Sequence, residues 1–447
     1  SKLHGFPPRF RQRLSFLGNP LDDVLELDPS MEMVLDLVLL DFAAASEDEV
    51  RSLMNAASED MVSQVESILC RPQDPNLASA SGDKPLMVAS VHGHTEVLRL
   101  LLEARAEVNS RDANHATALS LSCIDGHADI VKVLVEAGAD VNSIDEYSAT
   151  ALMRAATFDR AEIVSLLLEA SANMGLVDRH GMTALGMATL KGHAEVVKTL
   201  LDGGSDVNTA DQQGTTALMR ACFCGHEAIV RLLLEAGATV GNRPLPFASA
   251  QGHGSIVRLL LEASVGKEAN AAKTDRLSGA AALVSAAQGG HTDIVRYLLA
   301  ARTVTTGPAV VAPLQCALGE AAGFGQAEVV KVLLEACADI DFVDISGWTA
   351  LMQASLYSRV DVARLLLDAG AEANVTDEDG TTALMLASMT GHAEVVELLI
   401  KSGADRALVS KEGKTAFMEA SSWGHIEVMR LLKPLKRKRM TRPAAQR

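Results

Sequence analysis

The sequence predicts an all-α repeat solenoid of about eleven units behind one degenerate unit, preceded by a short strand-rich segment. Three observations carry this. A Gly-His pair returns along the chain, placing histidine at His94, His127, His193, His226, His253, His291, His392 and His425, with Arg160, Gln326 and Arg359 in the same slot elsewhere. The steps are 33 residues four times, then 27, 38 and 35, then 33 three times. Inside each unit, two short apolar stripes at helical spacing flank that pair. Finally, hydrophobic residues make up 48% of the chain but aromatics only 3%, so the core must be Leu, Val, Ala and Met in thin helical layers. A period of this kind means units that cannot bury their apolar faces alone and stack to do so.

Taken in order, residues 1–42 fall outside the repeat. They hold two strand-like runs, 11–16 and 35–40, around a Gly18-Asn19-Pro20 turn. The order of Gly5, Pro7, Pro8, then Gln12, Arg13, Leu14, Phe16, Gly18, Leu21 and Asp23, then Leu35, Leu37, Val38 and Leu39 resembles the second half of ubiquitin. The resemblance implies a partial β-grasp (ubiquitin-like) segment without its first hairpin and long helix, so the chain is expected to begin inside a longer coding sequence. Of the recognition patch that the resemblance would bring, Val38 keeps an apolar position, whereas Ser15 and Asp36 replace the other two. No Gly-Gly follows Phe42, so conjugation is not implied.

Residues 47–80 read as a degenerate capping repeat, with helical patterns over 53–57 and 62–69 and Asp74-Pro75-Asn76 closing the unit. From 81 to 242 the units are regular. In the copy at 179–211, Thr183 is placed to cap a first helix, Leu185, Ala188 and Thr189 share one face, and Gly192 permits the reversal. Ala194 starts a second helix with a stripe of Val196, Val197, Leu200 and Leu201, ended by Gly203 and Gly204. The elements T-x-L, A-A-x-x-G-H, V-V-x-x-L-L and G-A-D-V-N resemble the ankyrin repeat. One departure recurs: T-A-L-M stands at 150–153, 216–219, 349–352 and 382–385, with T-A-F-M at 415–418, where that family writes T-P-L-H. Met is a flexible apolar filler, so these junctions are expected to rely on packing. Residues 243–344 are irregular repeats, with a shortened finger at 241–246 and extra loop expected around 264–279 and 303–313. Regular units and a C-terminal cap fill 345–435, and a basic tail expected to be disordered fills 436–447.

Net charge is −17; the last fifteen residues hold seven basic groups and no acid, and removing those seven leaves −24 on the rest. Such a body repels phosphate, which argues against a nucleic-acid partner. No run of 18 apolar residues exists, residues 33–45 being broken by Asp36 and Asp41, so no membrane span is expected. Six scattered cysteines read as reduced thiols of an intracellular protein. One histidine per repeat cannot converge on a metal, and Cys222 and Cys224 lack a second ligand pair. No phosphate-cradling, nucleophile-elbow or zinc-protease motif occurs. No catalytic residue, cofactor or metal is therefore nominated, and the chain is expected not to be an enzyme.

In ankyrin repeats the binding surface lies on the finger tips and inner helices, and that resemblance points to the two slots just before each Gly-His. There the sequence places Phe158, Lys191, Phe223, Phe324, Tyr357 and Trp423; the finger tips add Tyr147, Arg179, His180 and Trp348. Clustered aromatics in an aromatic-poor chain suggest interface anchors. The alternative is that some pack against the next repeat. Lys436, Arg437, Lys438 and Arg439 read either as a nuclear-import signal or as a solvated end. The expected function is a non-enzymatic scaffold that binds protein partners along its concave face and finger loops, as a monomer, in the cytoplasm, and in the nucleus if the basic run is an import signal. Two alternatives stand beside it: a ubiquitin-like adaptor linking clients to degradation, and the interaction part of a larger enzyme.

Overall fold

Helix pairs follow the period because each unit supplies a cap, a stripe and a stop. The computed structural model describes residues 12–16, 19–20, 35–39, 47–70, 74–79, 82–264, 271–301 and 311–433. Its contacts divide the chain into two units, Ser1–Ala221 with Ala228–Ala238, and Cys222–Glu227 with Thr239–Arg447.

In the first unit the helices are α1 (Glu47–Ser58), α2 (Val62–Leu69), α3 (Pro85–His92), α4 (Thr95–Glu103), α5 (Ala118–Asp125), α6 (Ala128–Glu136), α7 (Ala151–Thr157), α8 (Ala161–Glu169), α9 (Ala184–Lys191) and α10 (Ala194–Asp202). The division runs through α11 (Ala217–Cys224) and α12 (Glu227–Glu235). The second unit holds α13 (Pro244–Ala250), α14 (Gly254–Ser264), α15 (Ala271–Gly289), α16 (Thr292–Ala300), α17 (Val311–Phe324), α18 (Ala327–Glu335), α19 (Ala350–Leu356), α20 (Val360–Asp368), α21 (Ala383–Thr390), α22 (Ala393–Lys401), α23 (Ala416–Ser422) and α24 (Ile426–Leu432). Within each unit, odd-numbered helices pack on odd-numbered neighbours and even on even, so each is a two-layered stack.

The unit at 179–211 shows how. Thr183 caps α9 by accepting from the Gly186 amide at 3.2 Å, and Gly192 ends it at φ +84°. On α10, Val196, Val197 and Leu200 are buried, while Leu201 is only half-buried. Full burial of such a side chain stabilises by roughly 1.5–3 kcal/mol, so a three-residue stripe per helix holds the layers together. The T-A-L-M methionines Met153, Met352 and Met385 are buried, Met219 is half-buried and Met418 is exposed. Among the described residues α23 is packed by α21 on one side only, which leaves Met418 uncovered.

The irregular region differs from the sequence reading. Loop was expected over 264–279, yet α15 starts at Ala271 and runs 19 residues, and α17 already begins at Val311. The stretch AAKTDRLSGAAALVSAAQG is Ala-rich with no Pro, and Ala is the strongest helix former. That propensity outweighs Gly279.

Ahead of the helices lie β1 (Gln12–Phe16), β2 (Asn19–Pro20) and β3 (Leu35–Leu39), in the order β2-β1-β3, both pairings antiparallel. The register sets Ser15 opposite both Pro20 and Asp36, and Arg13 opposite Val38. Asn19 and Pro20, read from sequence as turn, are thus a short paired strand. Gly5, Pro7, Pro8, Gly18, Leu21 and Asp23 lie outside the described residues.

Candidate functional site

The Gly-His slot holds the stack in register. Its Nε2 atoms reach back to a main-chain carbonyl of the preceding repeat: His94 to Ser58 and His127 to Val91 at 2.9 Å, His193 to Thr157 at 3.0 Å, His392 to Leu356 at 2.9 Å and His425 to Met389 at 3.0 Å. A carbonyl only accepts, so Nε2 carries the proton in each. Where histidine is missing, Arg160 bonds to the Ile124 carbonyl, Gln326 to that of Gln288 and Arg359 to that of Gly323. The preceding glycine fits this joint in two ways, although Asp159 and Ser358 take the same left-handed backbone at φ +59° and +58°. Gly391 sits at φ +82°, and a Cβ there would lie 2.6 Å from the His425 ring.

An aspartate five residues ahead of the capping threonine builds the fingers, with Ser410 in its place ahead of Thr415. Oδ1 of Asp145 accepts from the Tyr147 and Ala149 amides at 2.8 and 2.9 Å, Asp178 from His180 and Met182, and Asp344 from Ser346 and Trp348. Oδ2 of Asp145, on a side chain only 5% exposed, pairs with the Arg154 guanidinium; Asp211 and Arg220 repeat the arrangement. Adjacent fingers are joined by main-chain bonds, Glu146 N–H to the Asn114 carbonyl at 3.0 Å and Arg179 N–H to that of Tyr147 at 3.1 Å. Asn109 and Asn142 cross-link finger bases by accepting from Asp140 and Asn173, and Asn76 does the same for Glu107.

This frame gathers some nominated residues and separates others. Tyr147, Arg179 and Lys191 line one hollow of about 230 Å³ together with Leu190 and Met187. Phe324, Trp348 and Tyr357 line a second, of about 410 Å³, beside Glu320 and Arg359. Phe158, at the end of α7, and Trp423, at the end of α23, stand apart from both. Phe223 meets Phe247 edge-on at 6.2 Å and remains half exposed. Exposure runs from 42% at Tyr147 to 65% at Trp423, with Arg179 and Lys191 also exposed. Trp348 is the exception, only half-buried rather than presented at a tip. Lys436, Arg437, Lys438 and Arg439 lie outside the described residues.

The guanidinium of Arg179 lies 4.6 Å from the Tyr147 ring centre and that of Arg154 5.6 Å, both within cation–π range. Glu146 beside the Tyr147 phenol raises its pKa. Among the described residues no group of three His, Cys, Asp or Glu side chains is disposed to hold a metal, and no helix is long and apolar enough to cross a membrane. None of the six cysteines is disulfide-bonded; burial pushes the Cys123 thiol up and that of Cys222 up to about 12.

Sequence reasoning overlooked the finger aspartates Asp112, Asp145, Asp178, Asp211, Asp344 and Asp377, although their constant five-residue offset from Thr117, Thr150, Thr183, Thr216, Thr349 and Thr382 was there to find. The family profile described as "Ankyrin repeats (3 copies)" matches residues 53–145, 152–244, 312–377 and 369–441, together more than half of the chain. The chain belongs to the ankyrin-repeat family. No curated protein matches it. Ankyrin repeats generally mediate protein–protein interaction, and here their finger and helix-end positions are where the exposed aromatics stand.

Proposed function

We propose that this ankyrin-repeat chain is a non-enzymatic scaffold that binds protein partners through its finger tips and the C-terminal ends of its first helices. One observation carries the reading: Phe158, Phe324, Tyr357 and Trp423 occupy the same position of four repeats, two residues before the Gly-His slot, at 44%, 55%, 53% and 65% exposure. Large apolar side chains left in water at a fixed repeat position are the composition of interface anchors. The neighbouring carbonyls of Thr157, Gly323 and Leu356 are already bonded to the next repeat, so the backbone under Phe158, Phe324 and Tyr357 is fixed and little ordering entropy is lost on binding there. Partners recovered by the full chain are measured against Tyr357→Ala and Trp423→Ala. At a true anchor, affinity falls by about 2 kcal/mol or more while the urea midpoint holds; unchanged affinity for every partner removes this ridge.

A second reading rests on the antiparallel pairing of Gln12–Phe16 with Leu35–Leu39. It supports a ubiquitin-like module that would bring clients to degradation machinery. Recovery of proteasome or ligase subunits by the full chain, lost on removing residues 1–42, tests it.

A further inference from the structure

The hollow beside Tyr147 is chemically unlike the rest of an acidic chain. One wall is apolar: the Tyr147 ring, Met182, Met187 and Leu190, none of them fully buried. The rim carries three cations, Arg154, Arg179 and Lys191, with the His180 ring beside them. Its two aspartates are turned inward, each 9% exposed. Asp145 accepts from two amides and pairs with Arg154, whereas Asp178 keeps its charge and accepts from the His180 and Met182 amides through Oδ1. Arg179 and Lys191 therefore face solvent with no carboxylate partner among the described residues, in a protein of net charge −17.

Arg179 is also held in place. It stacks on Tyr147, its Nε–H points at Nε2 of His180 at 3.1 Å, and its own amide is bonded to the Tyr147 carbonyl. A guanidinium fixed through its stem and Nε keeps its Nη groups for an incoming acceptor, and a planar fork is suited to a carboxylate. At about 230 Å³, the hollow is smaller than the ~300–1,000 Å³ of small-molecule sites. It suits one inserted side chain.

We propose that this hollow, formed by the fingers and helix ends of α7 and α9, docks a peptide segment of a protein partner in which a bulky apolar side chain is followed closely by an Asp or Glu. The apolar side chain lies against Tyr147, Met187 and Leu190, and the carboxylate is taken by Arg179, with Lys191 also on the rim. The inference rests on the scaffold reading above and names the partner chemistry of one part of that surface.

Selection from a random twelve-residue phage-displayed peptide library on the full chain tests it. Enriched peptides carry Leu, Met or Phe within two residues of Asp or Glu. The best of them, synthesised, loses at least tenfold in affinity on Arg179→Glu, on Lys191→Glu, and on changing its own Asp or Glu to the amide, with thermal melting of both variants unchanged. Failure to enrich any peptide overturns the proposal, as does binding indifferent to both charge reversals. Peptides that ignore those reversals but respond to Tyr357→Ala or Trp423→Ala dismiss this hollow and leave the scaffold reading standing. Preference for a phosphorylated over a carboxylate peptide also overturns it.

Discussion

Nε2 of His193 donates to the carbonyl oxygen of Thr157, 36 residues earlier, at 3.0 Å. His193→Ala leaves that carbonyl without its partner and removes the ring from between two repeats. A loss of about 1–3 kcal/mol in urea unfolding is expected. His193→Gln recovers much of it, because Gln326 makes the same bond at 3.1 Å in its own repeat. Equal losses for Ala and Gln would assign the effect to ring packing rather than the hydrogen bond.

Ser388 and Ser355 are fully buried, and their hydroxyls have no partner among the described residues. Both stand four residues before the Gly-His slot, where other repeats bury Ala156, Ala287 and Ala322. Removing an unsatisfied buried hydroxyl is favourable. Ser388→Ala is expected to raise stability by about 1 kcal/mol, read as a higher urea midpoint at constant slope.

Cys222 shares that column, and burial raises its thiol from the ordinary 9.0 to about 12. Between those values the folded chain keeps a proton that the unfolded chain has released. Stability is therefore complete below about pH 9 and falls as pH rises, by about 1.4 kcal/mol per unit at most. Cys222→Ala should flatten this part of the profile. Comparing urea midpoints of the two proteins from pH 8 to 10.5 isolates the thiol from Lys and Tyr titration.

Asp145 fixes the finger that presents Tyr147. Asp145→Ala orphans two amides and leaves Arg154 without its carboxylate, a loss of about 3 kcal/mol or more. Asp145→Asn keeps the Oδ1 acceptor and costs less. Hydrogen exchange at the Tyr147 and Ala149 amides should accelerate in the Ala variant and stay protected in the Asn variant.

Periodicity made the helix pairs legible, because a stripe such as Val196, Val197 and Leu200 has one way to be buried and Gly192 one way to turn. It misled at α15, where a missing finger signature was read as loop although the local residues favour helix. Finger tips were legible only in part. Tyr147 stands two residues after Asp145 and is exposed, as are His180 and Ser346 two after theirs. Trp348 stands four after Asp344, the offset at which Ala149 and Met182 turn inward, so its half-burial follows from the aspartate that sequence reasoning passed over. Which nominated residues share a hollow was not legible, since Tyr147 and Lys191 meet only through the stacking of two repeats.

The Gly-His joint asks for a side chain on one side and only main chain on the other. His, Arg and Gln all serve as donor, and the acceptors belong to residues as different as Thr157, Gly323 and Met389. For this one bond the donor belongs to the downstream unit, while the upstream unit offers a carbonyl and room for the donor, as Gly391 does for the His425 ring. A change in the side chain of the upstream residue whose carbonyl accepts therefore leaves this bond intact, so those positions are free to diverge from one copy to the next.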